Sequence, residues 1–257
     1  MTDPYQTFIK SKKRGEDIRR RAADPEGFEA RCVIPGCGQP TMRAEGTGLA
    51  AFHCKRHVDH KARHGSHWHG TYRAADIAPY RKAADRWLKA NAADSAVVSA
   101  VGALRGLLDG SGPFTPSTSL RGLPVRDRAR IAFVRLARAE IKPETILAIH
   151  LAMSALIEED PGSHRVREFR VVQVAKAVHR LASGYHRKWE FEGADGKTRA
   201  TELHGYARST GRVLRLIGEE IDRACEMLAA DHMADVMALK VERYGTHPRK
   251  PQGPADR

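Results

Sequence analysis

Three of the chain's four cysteines fall with one histidine into two closely spaced pairs, Cys32-x4-Cys37 and Cys54-x2-His57, with sixteen residues between the pairs. No other feature constrains the N-terminal part of the chain as tightly, because ligand-bearing residues at these spacings ask for one tetrahedral ion. The first pair sits on a short knuckle, Cys32-Val33-Ile34-Pro35-Gly36-Cys37. Cys54 and His57 are one helical turn apart, so the start of a helix can aim both at the same point. Three thiolates and an imidazole fill the shell of Zn²⁺ and leave no position open for substrate. The expected cofactor is therefore a structural Zn²⁺ held by Cys32, Cys37, Cys54 and His57. The competing reading is a set of unpaired thiols beside an unrelated histidine-rich run. That run, His53, His60, His64, His67 and His69, also offers other candidates for the fourth ligand, with His60 and His64 at the i, i+4 spacing of a metal pair.

The helix expected from Cys54 to Arg63, with Gly65 as its stop signal, places Arg56, Asp59, His60 and Arg63 opposite Cys54 and leaves Lys55 and Lys61 on the flanks. A short basic face held rigid by a metal suits contact with phosphates. Cys32-x4-Cys37-Gly38-Gln39-Pro40, Cys54-Lys55-Arg56-His57 and Arg63-His64-Gly65-Ser66 together resemble the small treble-clef-like finger carried by phage and mobile-element proteins, some HNH homing endonucleases among them. The resemblance covers residues 32–66 only. It implies zinc binding and contact with nucleic acid. The sequence departs from that pattern in a longer insert, Arg43 to Phe52, and in His67-Trp68-His69 after Ser66.

Across 257 residues the formal charge is +13, which draws polyanions if it is clustered. Nucleic acid is the expected partner, DNA ahead of RNA, with an acidic membrane surface as the rival. No apolar run approaches the roughly 18–20 residues that span a bilayer, and the N-terminus lacks an apolar signal core. A cytoplasmic protein with no membrane partner is expected. Cys225 stands alone in a helical pattern and reads as a small buried apolar residue, so no disulfide framework is expected.

The fold class expected is mainly α: a small N-terminal zinc-finger module followed by a multi-helix domain with one β-hairpin. Residues 1–30 form a basic arm with Lys12, Lys13, Arg14, Arg19, Arg20 and Arg21 as phosphate contacts, or else a solvated tail. Residues 31–72 hold the finger, with a turn at Glu45-Gly46-Thr47-Gly48 joining two short strands. A helical segment follows over 73–112, with helices from Asp76 to Asn91 and from Ser95 to Leu108, and the Gly/Pro/Ser stretch from Gly110 to Pro124 gives a soft boundary.

The helical domain spans 124–244. Val125 to Ala139 and Pro143 to Glu159 form a helical pair whose joint resembles a helix-turn-helix. The second of these helices is too apolar all round for a DNA groove and reads as a core helix, with His150 as a hydrogen-bonded core histidine. A helix from Arg165 to Ser183 carries Val171, Val174, Val178 and Leu181 on one stripe, stopped by Gly184. Trp189 and Phe191 alternate with polar residues before an Asp-Gly turn, giving a hairpin near 187–202 that either serves as a wing against a phosphate backbone or covers the helices. One last helix, from Arg208 to Arg243, carries a seam of Leu214, Ile217, Ile221, Ala224 and Leu228. That seam packs on the core or makes a homo-oligomer through the C-terminal helix. Residues 245–257 are expected as a disordered tail.

The leading functional expectation is a non-enzymatic, zinc-stabilised DNA-binding protein, a regulatory or accessory factor of a phage or mobile element, with Lys55, Arg56, Lys61 and Arg63 adding to the arm's contacts. One alternative is a metal-dependent nuclease of the HNH type with Asp59-His60 as its dyad. Against it, that pair lies inside the zinc helix and the nearest asparagine is Asn91. The other is a protein-interaction factor whose finger only staples an N-terminal lobe.

Overall fold

A computed structural model describes residues 16, 31–41, 52–114, 120, 122–182, 184–206 and 210–248. The chain divides into two compact units, Met1–Gly70 and Thr71–Arg257. The first contains α1 (Lys55–His64). The second contains α2 (Ala74–Ala90), α3 (Ser95–Asp109), α4 (Val125–Arg138), α5 (Pro143–Glu159), α6 (Arg167–His179), the strands β1 (Gly184–Glu192) and β2 (Thr198–Tyr206), then α7 (Gly211–Ala224) and α8 (Ala230–Tyr244). The protein is mainly helical with a single antiparallel hairpin among the described residues, as the sequence patterns require.

α5 is the axis of the second unit. Thirteen of its seventeen residues are buried, so it can only be a helix surrounded on every side, and α2, α3, α6 and α8 pack around it. Pro143 starts it at the first turn, where a missing N–H costs nothing. The joint with α4 closes tightly: Ile141 N–H reaches back to the Leu136 carbonyl at 3.0 Å, with Glu140 in the left-handed region at φ 52°. α3 is capped by Asp94, whose carboxylate accepts from the backbone of Ala96 and Val97 at 2.8 and 3.1 Å. Helices on both sides of the Gly/Pro/Ser stretch, α2 and α3 before it and α4 to α8 after it, contribute to one hydrophobic cluster.

Charged groups of this unit meet across its helices. Asp222 on α7 accepts from Arg167 at 2.8 Å and Arg170 at 3.2 Å, and lies 3.5 Å from His150 Nε2, tying α5, α6 and α7 together. The contact with His150, then the charges of Arg170 and Arg167, outweigh burial and hold the Asp222 carboxyl well below the usual range. His150 is the hydrogen-bonded core histidine expected of it. Cys225 is buried, and burial pushes its thiol up to about 12, which makes it an inert apolar side chain.

Several boundaries differ from the sequence reading. The single helix expected from Arg208 to Arg243 is two. At Cys225 the backbone turns back on Ile221 and Asp222, and α8 starts afresh with the Ala229 N–H on His232 Nδ1 at 3.2 Å. The cause lies in the apolar spacing: the step from Leu228 to Met233 breaks the three-four alternation, so one straight helix would set Met233 and Met237, which pack against the core, in line with Arg215 and Glu219 five turns earlier. The seam residues Leu214, Ile217, Ile221, Ala224 and Leu228 pack into the core of their own chain. α6 is shorter than expected, and Gly184 opens β1 instead of ending a helix. The hairpin is longer than 187–202, running from Gly184 to Tyr206.

The segment after Gly245 does not begin as a free tail. His247 is buried, and its backbone N–H donates to Glu159 Oε1 at 2.8 Å. Apart from residue 16, the basic arm lies outside the described residues, as do Lys12, Lys13, Arg14, Arg19, Arg20 and Arg21, the expected turn at Glu45–Gly48, and residues 249–257 of the expected tail. Among the described residues, no helix is long and apolar enough to cross a membrane.

Candidate metal centre

The knuckle is shaped by its glycines. Ile34-Pro35-Gly36-Cys37 closes with Cys37 N–H on the Ile34 carbonyl at 3.0 Å, with proline second and Gly36 third at φ 76°, the pattern of a type II turn that only glycine enters freely. Cys32 N–H bonds the Gln39 carbonyl at 2.8 Å and Arg31 pairs with Pro40 in an isolated bridge, so Cys32 and Cys37 stand on two arms of one small loop. Cys54 is the residue before α1, in extended geometry, and His57 lies in the first turn. Gly65, at φ 78°, ends the helix with its N–H on the Lys61 carbonyl.

These elements bring Cys32, Cys37, Cys54 and His57 together, with one ligand atom from each lying within 4.8 Å of all the others. Cys32 Sγ and Cys54 Sγ are each 3.3 Å from His57 Nδ1, and Cys37 Sγ is 3.7 Å from Cys54 Sγ. A tetrahedron with zinc–sulfur bonds of about 2.3 Å and a zinc–nitrogen bond of about 2.0 Å has edges of roughly 3.5–3.8 Å. The observed edges lie close to that range, whereas a disulfide needs about 2.05 Å between sulfurs. All four cysteines are free thiols. The group can hold a metal ion, and its donor set is the one zinc takes in closed structural sites.

The electrostatics suit a cation. Burial works against a charge on Cys32, but the backbone N–H groups of Cys54 and Ile34 and the neighbouring sulfurs outweigh it and lower the thiol. Cys54 is raised, first by burial and then by those same sulfurs, since a second thiolate beside the first has nothing to offset it. A bound divalent ion supplies that offset and deprotonates coordinating thiols outright. His57 is lowered by burial and by the charge of Arg56, which keeps its ring neutral and ready to ligate.

The histidine-rich run does other work. His60 Nδ1 is 2.8 Å from the Ser66 carbonyl, and buried Ser66 accepts through Oγ from the backbone of Trp68 and His69 at 3.3 and 3.1 Å. His53 and His67 stack face to face with centroids 3.5 Å apart, and His60 stacks on His64 at 4.4 Å. The run thus clasps the chain after α1 back onto the helix. Among the described residues the Cys/His cluster is the one group of three or more such donors close enough to share an ion. The sequence pattern places Ser66 at the end of the Arg63-His64-Gly65-Ser66 run without giving it this role. The signal was present in its place directly after the helix-ending Gly65, where a hydroxyl can take up free backbone N–H groups.

Of the basic residues expected on this helix, Lys55, Arg56 and Arg63 are exposed and Lys61 is half-buried. Arg56 and Arg63 are seven residues apart, two helical turns, and so share a face. Among the described residues no ion pair engages Lys55, Arg56 or Arg63. Asp59, the other half of the nuclease dyad, is half-buried, and His60 is already bonded to Ser66. Compared with models of protein families, with curated proteins and with solved structures, the chain matches none.

Proposed function

We propose that the N-terminal unit is a zinc-stabilised finger that binds nucleic acid, DNA ahead of RNA, and that the chain is a regulatory or accessory factor of the kind phage and mobile elements carry. The observation that carries this reading is the pairing of exposed, unengaged Arg56 and Arg63 on one face of a helix whose first turn holds His57. A closed Cys3His shell fixes the helix without offering a site for substrate, so the ion's task is structural. The backbone that carries both arginines is then fixed before binding, so the ordering cost is confined to their side chains. Lys55 borders the same face, while Lys61, two turns after Cys54, falls on the metal side; the arm adds Lys12, Lys13, Arg14, Arg19, Arg20 and Arg21, and the formal charge of +13 supplies long-range attraction.

Fluorescence anisotropy on a labelled duplex and a labelled single-stranded RNA, each titrated at several salt concentrations, tests this. Duplex binding that weakens steeply with salt supports the proposal. Binding to neither probe at low salt reduces the finger to a structural staple. Cleavage of plasmid DNA in Mg²⁺ or Mn²⁺ would favour the nuclease reading instead.

A further inference from the structure

β1 and β2 pair along nine residues each, from Gly184 opposite Tyr206 to Glu192 opposite Thr198, and form a ribbon about 30 Å long at roughly 3.3 Å per residue. The ribbon's extensive contacts are between its own strands, and among the described residues no helix packs broadly on it. Among the described residues no third strand joins either edge. A lone two-stranded ribbon is marginal in water, and an unpaired edge is a template for another strand. Phe191, on this ribbon, is 45% exposed.

The ribbon's charge argues against a phosphate backbone as the missing neighbour. From Gly184 to Tyr206, Arg187, Lys188, Lys197 and Arg199 are offset one for one by Glu190, Glu192, Asp195 and Glu202. What distinguishes β1 is the order of its charges. His186, Arg187 and Lys188 precede Trp189, while Glu190 and Glu192 follow it. A strand that is basic before its midpoint and acidic after it is complementary to itself when turned end for end. β2 lacks this property, because its midpoint is Glu202, which would face its own like charge.

We propose that two copies of this chain pair antiparallel through their β1 edges, with Trp189 opposite Trp189, to make a four-stranded sheet. In that register Lys188 stands opposite Glu190 of the second copy, His186 opposite Glu192 of the second copy, and Arg187 opposite Phe191 of the second copy. The two-fold axis makes each relation occur twice. Tyr185, Trp189 and Phe191 stand at odd-numbered positions, out of step with His186, Lys188, Glu190 and Glu192, so pairing also gathers the aromatic positions of both copies on one face of the sheet. The inference stands on the ribbon alone and does not depend on the finger's role.

The test is analytical ultracentrifugation of the full chain and of two charge variants. One variant carries His186→Glu and Lys188→Glu, which makes the even-numbered positions from 186 to 192 acidic. The other carries Glu190→Lys and Glu192→Lys, which makes the strand basic. The unaltered chain should show a concentration-dependent monomer–dimer equilibrium. Each variant alone should dimerise more weakly by about tenfold or more, since like charges placed directly opposite are destabilising and each occurs twice. Mixed in equal amounts, the two variants should associate as heterodimers, a rescue between chains that a folding defect cannot produce. A chain that stays monomeric at all concentrations overturns the proposal. So does a dimer indifferent to the substitutions, or a mixture that fails to associate.

Discussion

The Lys240 ammonium on α8 donates to Glu159 Oε2 near the end of α5 at 2.6 Å, with both side chains almost wholly removed from water. Tyr80 on α2 donates to the same oxygen at 2.6 Å, and the His247 backbone N–H donates to the other at 2.8 Å. The next residue, Asp160, is buried too and accepts from the Tyr72 hydroxyl at 3.0 Å. This polar cluster joins α2, α5 and α8 and seats the segment beyond Gly245.

Removing one member should therefore cost far more than its hydrogen bonds are worth. Lys240→Met leaves Glu159 buried without its cation, and breaking such a pair costs about 3–5 kcal/mol. Changing both at once, Glu159→Gln with Lys240→Met, should recover most of that loss. Denaturant unfolding of the three proteins checks it; equal losses in the single and double variants would show that the charge pairing is not the stabilising element.

Acid should act through the same carboxylate. Burial opposes its ionisation, but Lys240, Tyr80 and the His247 N–H outweigh burial and hold the Glu159 carboxyl below its ordinary value. A group lowered in the folded state contributes stability above its unfolded pKa, near 4 on typical scales, and loses it as pH falls through the folded value. Asp222 is lowered as well, so it acts in the same direction. Thermal unfolding followed from pH 6 downward should show the melting temperature falling below about pH 4. Glu159→Gln should remove part of that dependence.

Two glycines make a contrast in packing. A Cβ on Gly218 of α7 would lie 2.7 Å from Val171 Cγ1 and closer still to the Val171 carbonyl oxygen on α6, so the two helices approach only because that position is bare. Gly218→Ala should destabilise by about 1–3 kcal/mol through overpacking. Gly102 in α3 is exposed and meets nothing within 4 Å, so Gly102→Ala should stabilise by about 0.5–1 kcal/mol. Calorimetry of the two variants should move in opposite directions.

What the sequence disclosed was local. Cys54 and His57 share a helical turn, and Val171, Val174 and Val178 repeat at helical spacing, so both the ligand set and the helices could be read from neighbours along the chain. Lys240 could not. In an amphipathic pattern it reads as a solvated charge, and the carboxylate that keeps it buried is 81 residues away. The break after Ala224 was hidden for a related reason. No glycine or proline marks it, and the apolar seam runs on to Leu228, so the tertiary demand that Met233 and Met237 face the core decides it.

Metal should be required by the first unit and not by the second. Elemental analysis should find one zinc per chain, and Cys37→Ser or His57→Ala should lower that content. Chelation should leave most of the helical circular dichroism, because α2 to α8 share a core that includes none of the four ligands. Zinc content near zero in protein purified without chelator, or collapse of the whole helical signal on chelation, would contradict this.

The most direct test of the finger's proposed role is the salt dependence of duplex binding by the Arg56→Ala/Arg63→Ala variant beside the unaltered chain. Each phosphate contact contributes a log–log slope of roughly −0.9 on duplex DNA, so losing both arginines should weaken binding and make the slope shallower by about one to two units. Zinc content and helicity should not change, since neither side chain ligates the ion or packs in a core. Affinity and slope both equal to those of the unaltered chain would contradict the account.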